Sequence, residues 1–274
     1  MMMLEKGLST PLNAKLAGSG AETVVLAHGF GGDQTVWNKI LPLLSQYFRV
    51  LVFDWCFSGA VKEQEGLFDP VKHSSYEGFA CDLIALLDEL DLESTVFVGH
   101  SMSGMIGCIA SVKRPDLFKR LILLGASPRY LNMDGYEGGF GTAQIDQIIS
   151  SIESDYHGWV ANFASLVVDP HDALSVEMFA KCLRSMRPEV ALPLARTVFL
   201  CDHIEVLEKV TTPCTIIQTT NDIVVPNSVA HYMHDKIQGK SMVEMIEANG
   251  HFPQLTAHLQ LLDVLGGILG FECD

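Results

Sequence analysis

A serine that attacks a carbonyl needs a base to take its proton and donors to hold the oxyanion that forms. The stretch VFVGHSMSG, residues 96–104, offers such a serine. An apolar run leads directly into Gly99-His100-Ser101-Met102-Ser103-Gly104, and a helical pattern follows. A tight strand-to-helix turn projects the serine hydroxyl clear of the backbone, provided the residues two positions away are small. Gly99 and Ser103 meet that condition, with Ser103 standing where G-x-S-x-G has its second glycine. The string alone is common, and an ordinary turn in which Ser101 caps a helix uses the same residues. The strand before and the helix after favour a nucleophile.

The base and its orienting acid are expected further along the chain. Asp222, in TNDIVVP, comes just after the apolar run CTIIQTT. His251, in ANGHFP, comes just after MVEMIE. His251 would take the Ser101 proton, while Asp222 would fix the ring tautomer and stabilise the imidazolium. His28 belongs to another motif, and His231, His234 and His258 fall in helical patterns, so they are weaker candidates. Asp235 and Glu247 are weaker rivals of Asp222. Two backbone N–H groups should form the oxyanion hole, those of Met102 and Phe30. Phe30 lies in AHGFGGDQTVW (27–37), where Gly29, Gly31 and Gly32 let the backbone approach a ligand. A purely structural glycine turn is the plainer alternative.

Elements that could hold these residues are legible around them. TVVLAH (23–28), RVLVFD (49–54), STVFVG (94–99), RLILLG (120–125), CTIIQTT (214–220) and MVEMIE (242–247) read as short buried strands. Residues 77–92 place Phe79, Leu83, Leu86, Leu87 and Leu90 on one helical face, and residues 102–113 form another helix. Such alternation implies a mostly parallel, doubly wound sheet, with ligands at the strand C-terminal edge. Ser101, Asp222 and His251 would meet there. The order Ser…Asp…His is that of the α/β-hydrolase fold. Between about 134 and 205 the alternation breaks. Ile145, Ile148, Ile149 and Ile152 make one helical stripe, and Met178, Phe179, Cys182, Leu183 and Met186 a second. The expected organisation is a core of residues 1–133 and 206–274 with an inserted four-helix lid over 134–205.

Composition narrows the function. At 48% hydrophobic and 19% charged residues, the 274-residue chain can bury one large core. A net charge of −15 without a basic run argues against nucleic acid and anionic membranes. No 18-residue apolar stretch points to a transmembrane helix, and MMMLEKGLSTPLNAKLAGSG lacks the apolar run of a signal peptide. Seven cysteines, at 56, 81, 108, 182, 201, 214 and 273, include no C-x-x-C pair and suggest free thiols in a reducing compartment. Neither nucleotide-binding motifs nor metal-ligand spacings occur, so no metal and no cofactor are expected. Nucleophile, base and oxyanion donors all come from the chain.

The sequence resembles the plant strigolactone and karrikin receptor family of α/β-hydrolases, the DWARF-fourteen group. The resemblance rests on HGFGGDQTVW (28–37), FVGHSMSGMIG (97–107), RPDLF (114–118), GASPRYLN (125–132), YEGGF (136–140), MRPEVAL (186–192) and GHFPQL (250–255). These segments span nearly the whole chain. The resemblance implies a slow serine hydrolase and receptor that binds a small hydrophobic butenolide or ester beneath a V-shaped lid. It implies pocket residues at Phe30, His100, Tyr130, Phe140, Trp159, Phe163 and Phe199, with Val224 where the receptors carry a smaller residue. It also implies signalling through F-box and repressor proteins, in cytoplasm and nucleus. A monomer is the default expectation. VFDWCFSGA (52–60) differs from the receptors' usual segment, and Ser165 stands where they place proline. These departures resemble the divergent DWARF-fourteen-like paralogue branch. Two other functions use the same catalytic residues: a general small-ester hydrolase without signalling, and a near-inactive binding or scaffold protein.

Overall fold

The computed structural model describes residues 7–62 and 64–272; Cys273 and the first six residues of the N-terminal stretch lie outside them. Seven strands form one sheet: β1 (Lys15–Ala17), β2 (Thr23–Ala27), β3 (Arg49–Val52), β4 (Thr95–His100), β5 (Phe118–Leu124), β6 (Cys214–Asn221) and β7 (Ser241–Asn249). Their order is β1-β3-β2-β4-β5-β6-β7, parallel throughout except for β1, which runs antiparallel to β3. Every residue of β2 and β4 is buried, as a central parallel strand covered on both faces requires. The six strands expected from the sequence are those from β2 onward. The edge strand β1 was not expected: three residues, KLA, carry too short an apolar alternation to be read.

Helices cover both faces: α1 (Leu41–Tyr47), α2 (Gln64–Leu67), α3 (Tyr76–Glu89), α4 (Met102–Lys113), α5 (Thr142–Ser154), α6 (Tyr156–Val167), α7 (Ala173–Ser185), α8 (Pro188–Phe199), α9 (Ile204–Leu207), α10 (Asn227–Lys236), α11 (Pro253–Thr256) and α12 (His258–Leu269). Helix α3 buries Phe79, Leu83, Leu86 and Leu87 along one stripe. It stops before the expected residue 92, because Asp91 turns left-handed at φ 53°. Helix α4 packs close on the sheet at Gly107, where a Cβ would lie 2.4 Å from the Phe97 ring. Five helices, the long α5–α8 and the one-turn α9, stand between β5 and β6 with no intervening strand. Asp155 and Asp172 cap α6 and α7, accepting from Gly158 N–H and Ser175 N–H.

The turn from β4 into α4 is locally strained. Ser101 takes φ 57° and ψ −123°, conformations that L-residues rarely adopt. Its N–H donates to Leu124 C=O at 2.8 Å, and its C=O accepts from Gly104 N–H at 3.0 Å. A Cβ on Gly99 would stand 2.6 Å from the Ser103 backbone, so only glycine fits there. Removing the Cβ should release the strain. Ser101→Gly is therefore expected to unfold about 1 kcal/mol later than Ser101→Ala in urea titrations. Equal midpoints would show that the turn is not strained.

Candidate active site

Three strand C-terminal ends deliver Ser101, Asp222 and His251 to one place. Ser101 follows β4, Asp222 follows β6, and His251 follows β7. His251 Nε2 lies 2.8 Å from Ser101 Oγ, and His251 Nδ1 lies 2.7 Å from Asp222 Oδ2. The second carboxylate oxygen, Oδ1, accepts from Val224 N–H at 2.8 Å and Val225 N–H at 3.2 Å. Gln218 Nε2 donates to Oδ2 at 3.2 Å. The carboxylate thus has a donor on each oxygen besides the imidazole, which fixes its plane. Gly125, at φ 56°, leaves room beside it: a Cβ there would stand 3.2 Å from His251 Cε1.

Two further contacts hold the imidazole in place. His251 N–H donates to Val167 C=O, the end of α6, at 2.7 Å. His251 C=O accepts from His100 Nε2–H at 2.8 Å. His100 is fully buried and its Nδ1 has no hydrogen-bond partner among the described residues. Burial, with the neighbouring His251, pushes its pKa well below the ordinary imidazole range, so it stays neutral. His100 borders the cavity as expected, yet its N–H is turned to the His251 backbone rather than to a ligand.

The glycine-rich loop after β2 lies directly over Ser101, with the Gly29 Cα so close that a Cβ would stand 2.9 Å from Ser101 Cβ. The N–H groups of Phe30 and Met102 make no backbone hydrogen bond among the described residues. A buried network fastens this loop to the turn. Ser103 Oγ donates to His28 C=O at 2.5 Å and accepts from Trp55 Nε1–H at 2.9 Å. Trp55 N–H donates to His28 Nε2 at 3.0 Å, while His28 Nδ1–H points at Gly29 C=O, 2.9 Å away. Burial lowers the His28 pKa and keeps the ring neutral, as this acceptor role demands. The serine at 103 and the aromatic 52–60 segment, which look unrelated in the sequence, are therefore one arrangement. A glycine at 103 would leave the indole with one acceptor fewer.

An apolar cavity opens at Ser101. Phe30, His100, Tyr130, Phe163, Phe199 and Val224 line it, together with Val167, Phe179, Val198 and Phe252. Tyr130 Oη lies 3.3 Å from Ser101 Oγ, and burial pushes the phenol's pKa up, so it remains a neutral donor. Two of the expected pocket residues do not reach the cavity. Trp159 stacks behind Phe163 at 4.6 Å, and Phe140 meets the outer edge of Phe199 at 5.9 Å. The front ring in each case takes the place at the wall. Val167, Val198, Phe252 and Phe179 were missed. Phe252 directly follows His251 in the GHFP segment, and Phe179 belongs to the α7 stripe, so both carried a usable signal.

The cavity has a volume of about 20 Å³, room for about one water molecule. Aromatic rings fill the rest. Phe30 meets Trp159, Phe163 and Phe199 edge-on at 6.1–6.3 Å. Ligand sites for drug-sized molecules run to roughly 300–1,000 Å³, so a ligand must displace some of these rings.

Sheet order, inserted helices and the linked Ser, His and Asp define the class, and the chain belongs to the alpha/beta hydrolase family, whose model matches residues 24–264. Within that class it is a member of the plant strigolactone and karrikin receptor family. It is 44% identical over 255 residues to "Karrikin insensitive 2 receptor IA" of Petunia hybrida, covering 93% of this chain and 92% of that one. It is 41% identical to "Strigolactone esterase RMS3" of Pisum sativum, over 91% of this chain and 95% of the relative. Among solved structures, a hydrolase from Oleispira antarctica superposes with a TM-score of 0.88 at 31% identity, covering 94% and 96% of the two chains.

Asp222→Asn tests the hydrogen-bond chain. The amide oxygen must face the two N–H donors, Val224 and Val225, so the NH₂ faces His251 Nδ1. Nδ1 then becomes an acceptor and Nε2 carries the proton, the wrong tautomer for a base. Ester hydrolysis is expected to fall about 10⁴-fold in kcat with an unchanged circular dichroism spectrum. A fall below tenfold would show that Asp222 does not set the tautomer.

Proposed function

We propose that the protein is a slow serine hydrolase and receptor for a butenolide-type ligand, acting in plant signalling. One observation carries this reading: an intact Ser101–His251–Asp222 hydrogen-bond chain opens into an apolar cavity beneath four inserted helices. Ser101 Oγ attacks the ligand's ester or lactone carbonyl carbon while His251 Nε2 takes the hydroxyl proton. The N–H groups of Phe30 and Met102 receive the oxyanion, and the imidazolium returns its proton to the leaving oxygen. Water then releases the acyl group from Ser101 by the same base. Asp222 stabilises the imidazolium in both halves.

The names of the relatives support the substrate class, since both karrikin receptors and strigolactone esterases stand at similar identity, 44% and 41%. That near-equality also fits a divergent paralogue branch. We further propose a monomer, in cytoplasm and nucleus, that meets F-box and repressor proteins when the lid helices move. The small cavity favours slow turnover, because each cycle needs the aromatic rings to part. It also favours the rival reading, a hydrolase of small esters without signalling.

Two measurements check the proposal. Incubation with a butenolide panel is expected to leave a covalent mass adduct on the native protein, absent in Ser101→Ala, whose turnover drops by several powers of ten. Phe163→Ala is expected to speed the association of bulky esters more than of small ones. Full turnover in Ser101→Ala overturns the catalytic role. Hydrolysis of small esters with no butenolide adduct and no ligand-dependent partner binding supports the rival.

A further inference from the structure

Cys56, His73 and Asp82 bring three different metal-binding donors together in the interior, and none of them lines the cavity at Ser101. Their sequence separations, 17 and 9 residues, form no metal-binding motif, so only folding reveals the group. Cys56 sits in the loop after β3, His73 in the turn before α3, and Asp82 on α3 itself. All three residues are buried, and their donor atoms lie within 4.8 Å of one another. Cys56 Sγ is 3.7 Å from His73 Nε2, and Asp82 Oδ2 is 2.8 Å from the same nitrogen.

We propose that these three side chains bind one divalent cation of the zinc type. Thiolate, imidazole and carboxylate are the donors that a borderline-soft ion accepts, and three protein ligands leave a fourth position for water. Tetrahedral bonds of the usual lengths span about 3.5 Å from sulfur to nitrogen and about 3.4 Å from nitrogen to oxygen. The Cys56–His73 edge fits already. Asp82 must move back by about half an ångström, giving up its hydrogen bond to His73 for a bond to the ion.

The surroundings supply what a ligating imidazole needs. His73 Nδ1 faces Asp69 C=O at 3.0 Å and Asp69 N–H at 3.1 Å. Without an ion, Nδ1 accepts from Asp69 N–H and Nε2–H donates to Asp82. Binding moves the ring proton to Nδ1, which then donates to the Asp69 carbonyl and gives up the bond from Asp69 N–H. This leaves the Nε2 lone pair for the ion, the outer-shell arrangement that orients metal-bound histidines. Phe68 stacks on the ring at 5.3 Å, and Phe79 packs against it at 4.6 Å. Charge also balances. On binding, the Cys56 thiol loses its proton to solvent, so thiolate and Asp82 carboxylate neutralise the dication. Lys72, which pairs with Asp82 Oδ1 in the ion's absence, has a side chain 46% exposed and can turn into water.

Occupancy would tie the loop after β3 to α3, and through them to the insert. His73 C=O accepts from Thr197 Oγ1 of α8 at 3.0 Å. The ion would therefore stiffen a support of the lid.

The test uses the full chain, stripped with a chelator and then given Zn²⁺ or Co²⁺. Native mass spectrometry should show one bound ion, and Zn²⁺ should raise the melting temperature. The Co²⁺ form should show a thiolate-to-metal charge-transfer band. Cys56→Ala should lose the band and the melting shift, while replacement of the exposed Cys81 by serine should keep both. Should Cys56→Ala fail to fold, Cys56→Ser removes only the sulfur and must also lose the band. No bound ion, or a thiolate band that survives substitution at 56, overturns the proposal and leaves a plain hydrogen-bonded cluster.

Discussion

Ser101 is held at φ 57° and ψ −123°, a conformation that costs an L-residue roughly 1–3 kcal/mol. Such strain persists only where the surroundings over-determine it. Here they do so from three sides. The Leu124 carbonyl anchors the serine N–H, Gly99 lets the backbone of residue 103 come close, and the Ser103 hydroxyl locks the first turn of α4 onto the His28 carbonyl. Buried β2 on one side of β4 and the buried C-terminal half of β5, Leu121–Leu124, on the other keep the platform from relaxing. Because the turn cannot yield, the hydroxyl stands clear of the sheet edge, and everything else is arranged around it.

The base is located by a second set of constraints, reaching it from different parts of the chain. Its side chain is held by Asp222, and its backbone by Val167 C=O on one side and His100 Nε2–H on the other. Val167 ends α6, one of the four inserted helices. The catalytic loop and the lid therefore share a hydrogen bond, so a displacement of α6 is felt directly at the imidazole. Phe30 does something similar on the opposite side: its backbone belongs to the oxyanion loop, while its ring touches Trp159, Phe163 and Phe199. Chemistry and lid packing are coupled through single residues. Parting the rings to admit a ligand perturbs the groups that would react with it, which is the kind of coupling a hydrolase that also signals requires.

Much of the fold was legible because its signals are local. Buried parallel strands are continuous apolar runs bounded by turn residues, and six of the seven strands announced themselves in that way. The exception, β1, is three residues on an edge, with Lys15 and Leu16 on opposite faces both exposed. The helical insert was legible through its stripes, since Ile145, Ile149 and Ile152, or Phe179, Cys182 and Leu183, recur at helical spacing and are buried. Ser101, His251 and Asp222 were found because each follows an apolar run, and parallel topology sends all such ends to one edge. The cavity was less legible. Which ring of a stacked pair faces inward, Phe163 or Trp159, depends on helix rotation and packing, and no periodicity encodes it.

By itself the sequence determined the strand–helix alternation, the small residues around Ser101 and the order of nucleophile, acid and base, because these depend on residue types at short spacing. Only the tertiary structure decided how full the cavity is, that His100 serves the His251 backbone, that Ser103 and Trp55 are partners, and that Cys56, His73 and Asp82 meet. The physical reason is range. Backbone propensity and burial pattern act over a few residues, whereas a contact between side chains far apart in the chain depends on the rotamers and volumes of every neighbour packed between them.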